Sequence, residues 1–171
     1  MANTYNLIAS NTLSSSAASV TFSSIPNTYT DLVVKVSVRA SDANVSPATY
    51  ITFNSDAIGA ANYSYTWLRA LGTTASSTAT TNFGAILVTA NGDSSTANTF
   101  SNSEIYIPNY AVSGKKQISV SQAIETNATT ASLGVLSELY GTTTAISAIN
   151  FYPNANFLSG SSFFLYGIKN S

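Results

Sequence analysis

The residues that could support acid–base or metal chemistry are few in this sequence. Among 171 residues there are seven Asp or Glu, six Lys or Arg, and no Cys or His. Disulfides, Cys nucleophiles, His-based triads and zinc sites of the usual kind are therefore excluded. The remaining candidates for chemistry are carboxylates: Asp31, Asp42, Asp56, Asp93, Glu104, Glu125 and Glu138.

Glycoside hydrolysis is the reaction that such acids could catalyse. It requires two carboxylates held on either side of a sugar, and distance in sequence does not exclude such a pair. Most of the acids, however, fall in predicted turns or at exposed positions, as ordinary surface acids do. We therefore predict that the chain is not an enzyme, with no catalytic residue and no cofactor, and keep a hydrolase as the alternative.

Two Asn/Asp turns could offer oxygen ligands to Ca²⁺, one at Asn54–Asp56 and one at Asn91–Asp93. Calcium loops of the EF-hand type have a denser and differently spaced set of acids. Asn and Asp side chains also close turns on their own backbone. The sequence therefore favours two ordinary turns, and no metal site is predicted.

The clearest structural element is the stretch Asp31–Ala40, around which the chain is organised. Apolar and polar side chains alternate along it, Leu32, Val34, Val36 and Val38 against Lys35, Ser37 and Arg39, with Val33 as an exception. Alternation at period two, with β-branched residues on the inner face, is typical of a half-buried β-strand. The turn before it contains Pro26, Asn27 and Asp31.

The rest of the chain predicts about ten short strands and no βαβ rhythm. Besides 31–40 they cover residues 5–10, 19–23, 49–54, 63–69, 82–90, 99–108, 116–126, 132–140, 145–152 and 162–169. Two segments are ambiguous, since 65–71 and 132–140 could each form helical turns. The Thr- and Ser-rich segment Gly72–Thr81 is predicted to be an exposed loop.

Strands of this length and spacing indicate a single all-β domain over residues 1–171. The preferred architecture is a jelly-roll-like antiparallel β-sandwich. An immunoglobulin-like sandwich ranks second, because its usual Cys pair is missing.

The composition argues for a chain that works inside an assembly. Charged residues make up 8% of the sequence, against about 25% in typical globular proteins. A net charge of −1 gives no electrostatic case for binding nucleic acid or an anionic membrane. No apolar run is long enough to span a bilayer, and the first residues lack the basic start of a secretory signal.

Three features suggest interface residues. The segment 162–169 is apolar on both faces, which indicates a strand that is sandwiched or covered by a partner. The pair Lys115–Lys116 is either solvated or placed to meet an acidic patch on a neighbour. Tyr63, Tyr65 and Trp67 alternate along the chain. Aromatic side chains of this kind can pack in a core, anchor an interface or stack on a sugar ring. The candidate interface residues are Trp67, Lys115, Lys116, Phe163, Phe164, Tyr166 and Ile168.

Several segments together resemble a domain that recurs in structural proteins of tailed bacteriophages, especially marine and cyanobacterial ones. They are Ile25–Leu32 with Val33–Arg39, Thr96–Phe100, Ile105–Tyr110 and Phe164–Ser171. The matching residues belong to strands and turns, so the resemblance implies a virion component and no catalytic residue.

Two roles in the virion follow as expectations. The first is a capsid decoration (cement) protein bound to the major capsid protein on the outer head surface, as a homo-oligomer and most simply a trimer. The second is the receptor-binding tip of a tail fibre or spike, docked on a tail adaptor and recognising a host glycan through loops such as Gly72–Thr81. The absence of a shaft segment in this sequence favours decoration. In both cases the chain is made in the host cytoplasm and ends in the virion.

Overall fold

The computed structural model describes residues 4–128 and 130–169. Their secondary structure is entirely β, without a helix. The strands are β1 (Tyr5–Thr12), β2 (Val20–Phe22), β3 (Asp31–Val38), β4 (Ala48–Phe53), β5 (Tyr63–Leu71), β6 (Thr74–Phe83), β7 (Ile86–Thr89), β8 (Ser101–Ile107), β9 (Lys116–Ile124), β10 (Ser132–Tyr140), β11 (Ile149–Pro153) and β12 (Ser162–Ile168).

The strands form two antiparallel sheets. The larger has eight strands in the order β1-β12-β3-β8-β9-β10-β5-β6, and the smaller has four in the order β2-β11-β4-β7. One hydrophobic cluster draws side chains from both sheets. The prediction of an all-β, antiparallel sandwich is therefore confirmed.

The core lies between the sheets and is built by alternation along the strands. In β9 every second residue is buried, including Ile118 and Val120. The ring of Phe163 in β12 lies 5.1 Å from that of Phe151 and 5.0 Å from that of Phe157. Large aromatic side chains thus fill the space between β12 and β11 without contacting solvent.

Most strand predictions are confirmed, including that for Asp31–Ala40, which becomes β3. Residues 63–69 and 132–140 are strands, so the helical alternatives are wrong. The predicted strand at 145–152 is displaced, since pairing begins only at Ile149. Arg39 does not share the exposed face with Lys35, because β3 ends at Val38 and the Arg39 side chain is buried.

The prediction of a loop at Gly72–Thr81 is wrong. Residues from Thr74 onward form β6, which pairs with β5 through a two-residue connection. Gly72 in that connection has a φ of +56°, the left-handed region that tight hairpin turns need and that glycine adopts easily. Backbone pairing with β5 therefore produces a strand whose side chains show no apolar alternation.

Neighbouring residues of β12 provide a test of the two faces. Phe163 is fully buried between the sheets, whereas Phe164 is half-buried on the opposite face. We expect Phe163→Ala to lower the free energy of unfolding by about 3–5 kcal/mol, because it leaves a cavity between close-packed rings. Phe164→Ala is the matched control and should cost clearly less. Urea unfolding of both variants measures this, and equal losses would contradict the assignment of faces.

Candidate functional site

The outer face of the eight-stranded sheet, which points away from the small sheet, is almost uncharged. One row of paired residues crosses the whole sheet: Ser10, Phe164, Lys35, Glu104, Ser121, Val135, Leu68 and Ser77. Its single ion pair joins Lys35 Nζ to Glu104 Oε2 at 3.0 Å, with both side chains about half exposed. That hydrogen bond raises the pKa of Lys35, but an exposed pair of this kind contributes little to stability.

An exposed cluster of aliphatic side chains lies on this face. Leu68 is 58% exposed, Leu133 55% and Val135 47%. Val135 is the cross-strand partner of Leu68, and Leu133 is flanked by Ala70 and Ala123 on the neighbouring strands. We call these five residues the apolar patch. Exposed apolar residues scattered singly need no explanation, but contiguous ones mark an interaction surface.

Four of the sequence-predicted interface residues are accessible, but they do not form one site. Phe164 and Tyr166 are half-buried on the outer face of β12, several strands from the apolar patch. Lys115 is exposed just before β9. Trp67 is half-buried on the inner face and packs against the core, with the Arg69 guanidinium 5.5 Å from its ring centre.

The other three predicted interface residues are buried within the chain. Phe163 is 0% exposed, Lys116 2% and Ile168 8%. Phe163 belongs to the core, Ile168 pairs with β1 and β3, and Lys116 is enclosed by loops. The prediction that these residues face a partner is therefore wrong, because the two sheets and their connections already cover them.

Lys116 binds backbone carbonyls instead of a neighbouring protein. Its Nζ donates to the carbonyl oxygens of Gly114 at 2.6 Å, Thr144 at 2.7 Å, Val112 at 3.0 Å and Thr143 at 3.3 Å. Burial lowers the pKa of this ammonium. A signal for its position was present in the sequence, since Lys116 is in phase with the inward-facing Ile118 and Val120.

Arg39 performs the same task at another loop. Its guanidinium donates to the carbonyl oxygens of Thr96 at 2.8 Å, Thr99 at 3.1 Å, Ser95 at 3.2 Å and Asp93 at 3.4 Å. These carbonyls all belong to the connection between β7 and β8. The buried cation therefore holds a loop in place, and it is not part of a surface charge pattern.

Two side chains of the large sheet cap the free edge of β7. Both carboxylate oxygens of Glu138 accept from the Leu87 N–H, at 3.1 and 3.2 Å. The Gln122 Oε1 accepts from the Thr89 N–H at 2.9 Å. Glu138 is 2% exposed, and burial raises the pKa of its carboxyl although the Leu87 hydrogen bond opposes that shift. A carboxyl with a raised pKa is often catalytic, but the Glu138 carboxyl accepts a hydrogen bond from the edge of β7.

Other acids also accept hydrogen bonds from nearby backbone or hydroxyl groups. The donors are the Tyr106 O–H and Asn109 N–H to Asp31, the Asn44 N–H to Asp42, the Tyr63 O–H to Asp56, and the Thr96 N–H to Glu125. Asn54, in one of the two turns considered for Ca²⁺, has its side-chain oxygen occupied by the Ser147 N–H at 2.8 Å. These oxygens brace turns and loops.

No protein-family model, curated protein or solved structure matches this chain. In residues 4–128 and 130–169 there is no group of three or more His, Cys, Asp or Glu side chains that could hold a metal ion. Nor does this part of the chain contain a helix long and apolar enough to cross a membrane. The candidate functional site is therefore the outer face of the eight-stranded sheet, with its apolar patch.

The two adjacent lysines should differ sharply on substitution. We expect Lys116→Met to lower the free energy of unfolding by about 3 kcal/mol, because four backbone carbonyls lose the charged donor that holds their loops together. Lys115→Met is the matched control and should change it by less than about 0.5 kcal/mol, as exposed substitutions do. Equal effects in urea unfolding would contradict the assigned role of Lys116.

Glu138 should give stability a distinctive pH dependence. Its pKa is raised in the folded chain, so above the usual value of 4.5 the unfolded chain ionises first and stability falls as pH increases. We expect Glu138→Gln, which keeps an acceptor for the Leu87 N–H, to remove this fall. Glu138→Leu should also remove the fall, but it should be about 1–3 kcal/mol less stable than Glu138→Gln at every pH, because the Leu87 N–H loses its partner. Parallel slopes for wild type and Glu138→Gln in urea unfolding would refute this role.

Proposed function

We propose that the chain is a non-enzymatic structural protein of a tailed-phage virion, a decoration protein that binds the outer surface of the head. The single observation that carries the proposal is the nearly uncharged outer face of the eight-stranded sheet, with the exposed apolar patch on it. Such a face loses little free energy when it is taken out of water, because few ions have to be desolvated.

The size of this face suits a specific interface. Eight strands at the usual spacing span about 34 Å. Multiplied by the average length over which neighbouring strands pair, this gives the sheet face a projected area of roughly 700 Å². Stable protein interfaces bury about 800 Å² on each partner. Contact through this face would bury Leu68, Leu133 and Val135, which lie on β5 and β10 toward the β6 side of the sheet.

The order of the strands supports a jelly roll as the finer description of the sandwich. Four pairs are nested along the chain, β1 with β12, β2 with β11, β3 with β8 and β4 with β7. A long antiparallel hairpin rolled into two sheets has this nesting, and viral capsid domains use that fold. The other four strands, β9, β10, β5 and β6, extend one sheet beyond β8, and all five residues of the apolar patch lie on them.

A receptor-binding tip of a tail fibre is the second candidate, and one groove favours it. Trp67, Arg69, Ser76, Ser77 and Thr78 line this groove beside the Trp67 ring. An aromatic ring, a guanidinium and hydroxyl groups are the kind of side chains that bind sugars. The ring is already engaged by Arg69, so a glycan would have to displace that side chain or bind at its edge.

Localisation of the protein in purified virions separates the two roles. Virions labelled with an antibody against this chain and viewed by electron microscopy should carry label over the whole head surface. Label confined to the tail or its fibres would instead support the receptor-binding role. Virions without label would refute both proposals.

The apolar patch should determine binding to the head. We expect Leu133→Asp with Val135→Asp to weaken binding to heads that lack the protein by at least about tenfold, since two buried aliphatic side chains are worth more than 1.4 kcal/mol. Ser14→Asp with Ser15→Asp, in an exposed loop, adds the same charge elsewhere and serves as the control. Cosedimentation with heads measures binding, and circular dichroism verifies folding. Unchanged binding of the patch variant would exclude this face.

A further inference from the structure

Of the four edges that the two sheets present, three are protected against pairing with another strand. The edge strand β2 is only three residues long. The edge of β7 is capped by Glu138 and Gln122. In β1 the register shifts between Leu7 and Ala9, and an irregularity of this kind twists an edge away from a regular ladder. Short strands, covered edges and bulges are recognised ways to prevent edge-to-edge association.

The fourth edge, β6, lacks these protections over Thr74–Thr80, and its register with β5 shifts only beyond Thr80. It runs for ten residues, Thr74–Phe83, and its side chains are almost all exposed. It contains neither a charged residue nor a proline. No strand among residues 4–128 and 130–169 pairs with its free side. A long uncharged edge of this kind is a template for another strand.

We propose that β6 pairs antiparallel with β6 of a second copy of this chain, which joins the two large sheets into one sheet of sixteen strands. The ladder between β5 and β6 is regular from Thr74 to Thr80 and shifts beyond that point. The middle residue of the regular segment is Ser77. Two such segments overlap completely when the two-fold axis passes beside Ser77, so that Ala75 of one copy lies opposite Ala79 of the other.

The side chains of the edge favour a second copy as the partner. A two-fold contact brings the same surface against itself, so a charged edge would bring charges close to their own symmetry mates. The segment Thr74–Thr80 has only Thr, Ser and Ala, which give no repulsion and allow Thr–Ser pairs across the ladder. A three-fold ring of sheets would instead need β6 to pair with a different edge, and the other edge of this sheet is the irregular β1.

This inference goes beyond the proposed function, because edge pairing does not depend on a role in a virion. It also replaces the trimer that the sequence suggested with a two-fold arrangement. The outer face stays free in such a dimer, since edge pairing uses backbone groups in the plane of the sheet. A dimer would thus present two apolar patches on one continuous surface.

Sedimentation velocity of the full chain tests the proposal. A contact through one strand pair is small and should be reversible, so measurements extend to about 100 µM, above the micromolar Kd of weak complexes. We expect a dimer of twice 17.8 kDa at the upper concentrations. Ala75→Lys with Ala79→Lys places two Lys–Lys pairs across the axis and should weaken the dimer at least about tenfold.

A charge exchange makes the register itself testable. Ala75→Lys with Ala79→Glu places opposite charges across the same axis and should restore dimerisation to wild-type strength or better. Ser119→Lys with Ser121→Lys, on the exposed face of β9, is the matched control and should leave the dimer intact. Thermal unfolding verifies that each variant is folded. A monomeric or trimeric wild type, or a dimer indifferent to Ala75→Lys with Ala79→Lys, would overturn the proposal.

Discussion

The structure depends on hydrogen-bond partners for the backbone N–H and C=O groups at the ends and edges of the strands, where no neighbouring strand pairs with them. An N–H or C=O left unpaired in the interior costs free energy comparable to a lost hydrogen bond. The chain meets this requirement with a few of its scarce charged side chains. Lys116 and Arg39 donate to loop carbonyls, and Glu138 accepts from the edge of β7. The connections between strands are held by these contacts.

Because several of the few charged side chains are used inside the molecule, the outer face of the large sheet is almost uncharged. With 8% charged residues and several of them buried, the large sheet is left with a face of Ser, Ala, Thr and aliphatic residues interrupted by one ion pair. Such a face is poorly suited to remain alone in water at high concentration, since net charge protects proteins against association. It suits a protein whose neighbours cover it, which is the setting that both proposed roles share.

The candidate site was only partly predictable, and particular residues show why. That Phe164 and Tyr166 lie on a different face from Phe163 follows from the sequence, because alternation along a strand is a local property. The apolar patch was not found, since Leu68 comes from β5 while Leu133 and Val135 come from β10, and only the register between these strands brings them together. The strand β6 was missed because an edge strand with both faces in solvent has no apolar alternation to detect.

The sequence by itself determined that the chain is all-β and where most strands lie, because period-two alternation and turn residues act over a few positions. It also excluded Cys and His chemistry outright. Only the tertiary structure decided which charges are buried and which apolar residues stay exposed. In the sequence, Lys116 resembles its solvated neighbour Lys115. In the structure, its ammonium binds the carbonyls of residues 143 and 144, which come from a distant connection. Alternation along β9 indicates which face of the strand Lys116 occupies, but its burial depends on segments distant in sequence, which no local pattern specifies.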